Sequence, residues 1–389
     1  MAVLNSSSKM RPSIAQFYAG KNVFITGGSG FIGKCVIEKL LRTCPNVGGL
    51  YLLMRPKRDK TPEERLQKVL ESDLFNAVKN ETPDSIEKLH IIIGDVIEPQ
   101  LGMSDSDYEL LTDKINVILH VAASINFTEP LRNAVTTNVI AVKDMLVLCR
   151  KCKHLQAIVH TSTAFVRPNL EVIEEKFYEF KGDYNDVIAT VMDGDDAAAE
   201  RITPELLGDA PNTYVYTKHM AECVLADEAS DLPIAIVRPT LVTSTWKDDP
   251  ISGWIESMAH LSGVLILTAK GYLRVKLVDV TKEIDMVPVD VVSNCIIAAG
   301  WRLGTSEPTL TIPIYNSSST GCHRMTWTEF KGISLYHMQT QPFKDLVRLP
   351  YVYMVLSFSL FQVMSRLFHD APAIILDQVS RLRGKKSSC

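Results

Sequence analysis

A tyrosine and a lysine four residues apart, Tyr214 and Lys218, carry the clearest chemical signal in this sequence. On a helix, positions i and i+4 share one face, so the phenol and the ammonium would lie side by side. The ammonium stabilises phenolate and should lower the phenol pKa, and Tyr214 could then protonate a carbonyl oxygen as hydride reaches the carbon. Lys218 could also hold the ribose of a nicotinamide cofactor. The pair is common by chance, so its meaning depends on what precedes it.

Two hydroxyl residues, Ser162 and Thr163, lie just beyond an apolar run at 157–160. A hydroxyl at the end of a strand can hydrogen-bond a substrate carbonyl and stabilise developing oxyanion charge, so both residues are candidates. Asn138 has two open interpretations. Either its side chain hydrogen-bonds to the backbone and holds a water that relays protons, or it packs between helices.

A glycine-rich segment between an apolar run and a helical pattern predicts a dinucleotide-binding loop. In it, Gly27 can form the tight turn, Gly30 allows the backbone to approach a pyrophosphate, and Gly33 allows close packing of helix and strand. The N-terminus of the following helix presents free N–H groups to the phosphates. The residues of this segment predicted to bind the cofactor are Thr26, Gly27, Ser29, Gly30, Phe31, Ile32 and Gly33.

Basic residues stand where an NAD-dependent enzyme usually carries an acidic one. The second apolar run ends at Arg55, and Lys57 and Arg58 follow. Because cations suit a ribose 2′-phosphate, this position predicts NADPH as the cofactor.

The ends of the third and fourth runs offer further cofactor contacts. Asp95 either accepts from the adenine amino group, which we favour, or caps a helix. Ala122 and Ala123 are small enough for the cofactor to lie flat on the strand ends.

These residues imply a scaffold that brings the ends of several strands together. Short apolar runs alternate with helix-like stretches at 62–78, 133–152 and 210–228; the runs lie at 23–26, 50–54, 90–94, 117–121, 157–160 and 234–237. This alternation predicts an α/β fold with a Rossmann-type, doubly wound parallel sheet. We predict a cofactor domain at 14–250 with a polar insertion over the sheet at about 170–210. A smaller substrate lobe at 251–330, interleaved with the last strands of the sheet, and a shortened helical C-terminal region at 331–389 follow.

Composition excludes several other functions. A formal net charge of -4 without a basic block argues against nucleic-acid binding. Eight scattered cysteines do not suggest a disulfide framework, and we interpret Cys149 and Cys152 as two helix-surface thiols rather than a metal site. The N-terminus lacks the apolar stretch of a secretory signal.

An uncharged stretch at 349–365 raises the question of a membrane. It is shorter than the roughly 20 apolar residues of a usual span, and Pro350 and several polar residues interrupt it. A buried helix, an interfacial helix and a tilted span all remain open.

The order of glycine loop, Ser/Thr strand end and Tyr-x-x-x-Lys resembles the extended short-chain dehydrogenase/reductases. Within that group the chain looks like the fatty acyl-CoA reductases, most of all the animal, arthropod-like branch. The resemblance runs from Ile14 to Trp327 and resumes from Phe368 to Lys386. Its motifs are residues 17–21, 26–33, 51–57, 162–165, 214–218, 236–240, 252–254 and 286–290.

The resemblance implies reduction of long-chain acyl-CoA to the primary alcohol with two NADPH. It gives Tyr214 the role of acid, Lys218 that of its partner and Thr163 that of the active hydroxyl, and it places Pro239 against the nicotinamide. Residues 140–142 depart from the Gly-Thr often found after the Asn-Val motif. The resemblance also implies cytosol-facing association with a peroxisomal or endoplasmic-reticulum membrane through the C-terminal region. The chain is C-terminally short for the family, so either it is a short isoform or its membrane attachment is lost or weakened.

Two other functions remain open from the sequence. Another extended reductase, acting on a sterol or a nucleotide sugar, would share the glycine loop and the Tyr-x-x-x-Lys motif. A non-catalytic dinucleotide sensor would share the loop, but such sensors often lack the Tyr–Lys pair.

Overall fold

The structure, a computed structural model, describes residues 11–57, 60–247, 250–307, 309, 311–322 and 324–374. Arg58 lies outside the described residues, as does the part of the family resemblance at 375–386. Contacts within the described residues divide the chain into two compact units. The first comprises 11–254 and 287–317, and the second comprises 255–286 and 318–374. The role of the second unit in binding substrate stays a prediction.

A parallel seven-stranded sheet forms the centre of the first unit. Its strand order is β11-β6-β5-β4-β1-β2-β3, and every neighbouring pair in it runs parallel. The chain reverses its direction of travel across the sheet between β1 and β4, where the open crevice of a doubly wound fold forms. The strands are β1 (Asn22–Thr26), β2 (Gly49–Met54), β3 (Leu89–Ile93), β4 (Val117–His120), β5 (Ala157–Thr161), β6 (Ile234–Pro239) and β11 (Ile314–Ser317).

Helices cover both faces of the sheet, because most of its strands are apolar on both sides. One core lies between the sheet and helices that include α2 and α12, and the other includes residues of α5, α7 and α10. The helices of this unit are α1 (Ile14–Tyr18), α2 (Phe31–Thr43), α3 (Pro62–Leu70), α4 (Asn76–Glu81), α5 (Asp105–Lys114), α6 (Leu131–Val135), α7 (Ala141–Lys151), α8 (Tyr184–Asp193), α9 (Asp196–Leu207), α10 (Thr213–Glu228) and α12 (Val289–Gly304). A π-helical turn at Thr136–Ile140 joins α6 to α7. The predicted α/β Rossmann fold is confirmed.

The second unit contains short strands and apolar helices. Strand β8 pairs with β13 and strand β9 pairs with β12. Its elements are α11 (His260–Ala269), β8 (Val275–Leu277), β9 (Glu283–Ile284), β12 (Met325–Thr326), α13 (Trp327–Thr340), β13 (Tyr353–Val355) and α14 (Phe358–Ser365). Two further short strands, β7 (Leu241–Thr243) and β10 (Met286–Pro288), pair with each other and, except for Met286, belong to the first unit.

The structure corrects three sequence-based interpretations. The polar insertion contains α8, which buries Tyr184 and Val191 in the second core, and α9, which buries Ala199 there, so it is not merely a cover over the sheet. Cys149 is buried in that core, so Cys149 and Cys152 are not two surface thiols. The stretch 349–365 is not one helix but contains strand β13 and helix α14. Within the described ranges, none of the helices has both the length and the apolar character needed to cross a bilayer.

Candidate active site

The glycine-rich loop between β1 and α2 packs tightly against the backbone that follows β4. Gly27 has φ +75°, and a Cβ built there would lie 2.6 Å from the Ala122 amide nitrogen. A Cβ on Gly33 would collide with the Gly27 carbonyl oxygen. Each position therefore needs glycine for its own reason, and any larger side chain would push the loop away from the strand ends.

A cleft of about 630 Å³ opens above this loop, entirely within the first unit. Gly30 forms the N-cap of α2 without a side-chain hydrogen bond to the first turn, so the N–H groups of that turn are left for another acceptor. Of the residues predicted to bind the cofactor, Gly27, Ser29, Gly30, Arg55, Asp95, Ala122 and Ala123 line the cleft.

Three residues of the loop sequence face the protein instead. Phe31 and Ile32 pack against the first core, and Phe31 stacks on Trp254 at 5.3 Å between ring centroids. The Thr26 side chain is buried, and its hydroxyl accepts from the Ala122 N–H at 3.2 Å. Thr26, Phe31 and Ile32 can therefore contact a cofactor through their backbone groups rather than through their side chains.

The basic end of the cleft is arranged differently from the sequence-based assignment. Arg55, predicted to bind a 2′-phosphate, forms a 2.7 Å ion pair with Asp95, which was assigned to the adenine. Asp95 also accepts from the Ile97 N–H at 3.3 Å. Both side chains retain solvent exposure, so the pair can open or share a ligand at little cost.

Sequence reasoning missed Arg65 on α3. Its guanidinium donates to the Ser29 hydroxyl at 2.9 Å and to the Arg55 carbonyl, which holds it against the wall of the cleft beside Lys57. Burial and the neighbouring Arg55 lower the Arg65 pKa. The available signal was the capping box of Thr61 and Glu64, which fixes where α3 begins.

The Tyr-x-x-x-Lys pair lies near the N-terminus of α10, which Asn212 caps by accepting from the Val215 N–H. Burial raises the pKa of Tyr214 to about 12, and a hydrogen bond with the Thr163 hydroxyl opposes that rise. The Tyr214 phenol therefore carries its proton at neutral pH and has a hydroxyl beside it.

Lys218 is fully buried and turned toward β5. Its Nζ donates to the Thr161 carbonyl oxygen at 2.7 Å and lies 3.4 Å from His160 Nε2. Burial lowers the pKa of Lys218 to about 8, and Glu222 opposes this shift. The predicted lowering of the Tyr214 pKa by Lys218 is not found, because burial dominates the phenol and the ammonium contacts β5.

The two hydroxyl candidates occupy different environments. Thr163 contacts Tyr214, whereas Ser162 is buried and donates to Glu222 Oε1 at 2.5 Å. Glu222 in turn forms a 2.5 Å ion pair with Arg238 in which both side chains are almost completely buried. Sequence reasoning missed this pair, although Glu222 continues the Tyr214–Lys218 face of α10 by one turn and Arg238 stands in an otherwise apolar strand.

Asn138 and Pro239 are both buried, and neither is among the residues that line the cleft. Asn138 accepts from the Ser124 N–H at 2.9 Å and donates to the Ser124 carbonyl oxygen at 3.2 Å and to the Thr217 hydroxyl at 3.0 Å. It therefore fixes the loop after β4 to α10. The Pro239 carbonyl oxygen, at the end of β6, accepts from the Ala164 N–H at 2.9 Å.

The sheet order, the glycine loop after β1 and the Tyr-x-x-x-Lys helix define a nicotinamide-dinucleotide-dependent reductase of the extended short-chain dehydrogenase/reductase class. A family model described as Male sterility protein, an NAD-binding family, matches residues 25–296. The chain is similar to fatty acyl-CoA reductase 1 of Rattus norvegicus, 38% identical over 374 residues that cover 96% of this chain and 72% of that protein. It is also similar to fatty acyl-CoA reductase 2 of Mus musculus, 37% identical over 373 residues with the same coverages. This chain belongs to the fatty acyl-CoA reductase family.

Solved structures agree on the fold. The terminal reductase domain of the myxalamid biosynthetic pathway superposes with a TM-score of 0.62 at 20% identity, covering 87% of this chain and 72% of that one. The reductase domain of a nonribosomal peptide synthetase from Mycobacterium tuberculosis gives 0.60 at 21% identity, covering 88% and 75%.

Proposed function

We propose that this protein reduces fatty acyl-CoA to the primary fatty alcohol through an aldehyde, with NADPH as the hydride donor. One observation carries the proposal beyond family membership: the Tyr214 phenol and the Thr163 hydroxyl meet at the strand ends, and Lys218 lies one helical turn along the same helix. Family membership favours an acyl-CoA substrate over a sterol or a nucleotide sugar. The complete Tyr–Lys pair argues against a non-catalytic sensor.

The residues of the cleft fit a phosphorylated dinucleotide. The glycine loop and the uncapped start of α2 would receive the pyrophosphate. Arg65 and Lys57, with Arg55 released from or shared with Asp95, would receive the 2′-phosphate. Lys218 would hold the nicotinamide ribose, and Pro239 would lie beside the nicotinamide. When bound, the cofactor supplies the hydride.

Thr163 and Tyr214 act on the oxygen of the substrate carbonyl in both reductions. In the first, they hold the oxygen on which negative charge grows as the carbonyl carbon is reduced. The resulting hemithioacetal alkoxide re-forms its carbonyl as the C–S bond breaks, and CoA leaves as the thiolate. In the second, the aldehyde oxygen occupies the same place and Tyr214 protonates the alkoxide, so one oxygen site serves both steps.

The protonation states found at the site suit these roles. A phenol with a pKa of about 12 holds its proton at neutral pH until an alkoxide of higher basicity forms beside it. A lysine whose pKa is about 8 is mostly cationic at pH 7 and can bind ribose hydroxyls as a donor.

Product analysis tests the proposed function directly. The purified protein is incubated with NADPH and a mixture of acyl-CoA chain lengths, and separately with a panel of sterols, and the products are identified by mass spectrometry. We expect primary fatty alcohol only with acyl-CoA, and none from the Lys218→Ala variant. Reduction of a sterol with acyl-CoA untouched would overturn the proposal.

A further inference from the structure

Two buried histidines, His120 and His160, lie at the ends of β4 and β5 and take no part in the steps above. They belong to a row across three parallel strands, in which Thr26 is paired in register with His120 and His120 with His160. The two imidazole rings stack with centroids 5.3 Å apart and planes 21° apart. Both side chains are almost completely buried. The row leads from the start of the glycine loop to Lys218.

The contact between His160 and Lys218 fixes which nitrogen of His160 accepts. Lys218 Nζ lies 3.4 Å from His160 Nε2, and an ammonium has only donors, so Nε2 is the acceptor. We therefore assign the proton of the neutral ring to Nδ1. That nitrogen is buried and has no hydrogen-bond partner in the part of the chain that the structure describes.

The other end of the row is fixed by Thr26. Its hydroxyl already accepts from the Ala122 N–H and lies 2.8 Å from His120 Nδ1, to which it can donate. His120 is thus held by the strand that leads into the glycine loop, and its ring supports that of His160.

Packing alone does not call for a histidine at position 160. A phenylalanine could stack on His120 in the same place without leaving a buried, unpaired N–H, which destabilises a fold. Unlike phenylalanine, the imidazole supplies a neutral acceptor facing Lys218. Burial and the adjacent Lys218 charge both lower the pKa of each imidazole, which keeps the rings neutral.

We propose that His160, supported by His120, is a positioning residue that holds the Lys218 ammonium where it can bind the cofactor ribose. The inference rests on the proposed function, because that function gives Lys218 its role. Other groups also act on Lys218: Glu222 on its own helix, the Thr161 carbonyl on β5 and the neutral His120 ring on β4. Tyr214 lies one turn away on α10. Arg238 on β6 is neutralised by Glu222.

Two substitutions at His160 test the roles of its hydrogen-bond acceptor and of its aromatic ring separately. His160→Phe keeps a stacked ring and removes the acceptor, whereas His160→Gln removes the ring and keeps an acceptor of similar reach. We expect His160→Phe to lower kcat/KM about tenfold to a hundredfold, the usual effect of losing a hydrogen bond to a charged group. We expect His160→Gln to restore most of it. His160→Leu replaces the Phe variant if that variant fails to fold.

The pH profile gives a second readout. Losing an acceptor destabilises the charged form of Lys218, so the alkaline limb of kcat/KM should move to lower pH in His160→Phe and stay near the wild-type position in His160→Gln. His90→Phe is a control for exchanging a stacked imidazole, because the exposed His90 also packs on an aromatic ring, Tyr51 on β2, but lies on β3 away from Lys218. The His90→Phe variant should change neither kcat/KM nor the position of its alkaline limb.

A double-mutant cycle with Lys218→Ala decides the proposal. If His160 acts through Lys218, His160→Phe should weaken NADPH binding little further once Lys218 is replaced, as measured by the dissociation constant of NADPH. Equal losses in both backgrounds would overturn the inference. If the wild type binds NADPH but reduces no acyl-CoA, the proposed function fails, while the cycle in NADPH binding still tests the His160–Lys218 coupling.

Discussion

At the scale of single residues, the proposed chemistry uses only a few groups that contact the substrate oxygen. Only the Tyr214 phenol and the Thr163 hydroxyl are offered to it in the proposed mechanism, and the nearby Ser162 is committed to Glu222. A site with one acid must use it twice if both reductions occur there.

Tyr214→Phe should therefore lose both reductions together. Removing a general acid typically lowers the rate about 10²–10⁴-fold. The measurement is NADPH oxidation with acyl-CoA and, separately, with free long-chain aldehyde. Tyr216→Phe is the control, since Tyr216 is buried in the second core. A Tyr214→Phe variant that still reduced aldehyde at the wild-type rate would show that the two steps use different acids.

The basic residues at one end of the cleft should decide between NADPH and NADH. Arg55→Asp should weaken NADPH binding far more than NADH binding, because it places a carboxylate where a 2′-phosphate is expected. Arg65→Ala should act in the same direction, since Arg65 is held at the same wall of the cleft. Dissociation constants for both cofactors, measured by nucleotide fluorescence, provide the comparison. Parallel losses for NADPH and NADH in both variants would contradict the assignment.

Residue types and spacing predicted Tyr214, Lys218 and the glycine loop because their geometry is local to one helix or one turn. They did not predict Arg65, His160 or Glu222, whose roles depend on contacts between elements distant in sequence. The pairing of Arg55 with Asp95 joins residues 40 positions apart. No local pattern encodes it.

At the scale of elements, the strand–loop–helix unit at β1 and α2 should tolerate no side chain at its closest approach. Gly33→Ala would drive a methyl group into the Gly27 carbonyl and should weaken NADPH binding about tenfold or more, the usual effect of overpacking. Gly332→Ala is the control, because a Cβ there on α13 would meet nothing within 4 Å. Calorimetric titration with NADPH should separate the two variants, and identical affinities would be inconsistent with this packing.

Apolar runs located the first six strands of the sheet to within a few residues, since buried parallel strands are nearly continuous in hydrophobic residues. The uncharged stretch at 349–365 was harder to interpret. Its residues Tyr353–Val355 form a strand only because Val275–Leu277, far away in the chain, pairs with them. The polar segment at about 170–210 was wrongly predicted to lie over the sheet outside the core. The reason is that α8 and α9 bury only a narrow apolar face among many charged residues.

At the scale of the whole molecule, the two buried histidines link stability to pH. The pKa of His120 is about 3, and that of His160 is also well below the ordinary 6.5. As pH falls, these two histidines become protonated in the unfolded chain before they do in the folded one. The stabilisation that their low folded-state pKa provides is therefore complete above pH 6.5 and is lost as pH falls toward that pKa. Each histidine should contribute about 1.4 kcal/mol per pH unit over that range.

Chemical denaturation between pH 8 and pH 5 measures this dependence. The free energy of unfolding should fall more steeply below pH 6.5 for the wild type than for a His120→Gln/His160→Gln variant. Carboxylates titrate in both proteins, so the difference in slope isolates the histidines. Equal slopes would mean that these imidazoles do not titrate on unfolding.

The second unit exposes large apolar side chains that lie close together in the sequence. Leu349, Leu356 and Phe358 are each more than half exposed. Exposed clusters of this kind favour a lipid or protein surface. We propose that they bind the cytosol-facing surface of a membrane, and the peroxisomal and endoplasmic-reticulum membranes are both predicted sites.

Vesicle flotation tests that proposal. The full chain should float with phosphatidylcholine vesicles, and replacing Leu349, Leu356 and Phe358 together with glutamate should abolish flotation, because charged side chains are costly to place among acyl chains. Val172→Glu is the matched control, since Val172 is 70% exposed but lies in the first unit. Carbonate extraction of a cell membrane fraction then separates surface binding, which the wash releases, from an embedded segment, which it leaves behind. Flotation unchanged in the triple variant would show that these side chains do not bind lipid.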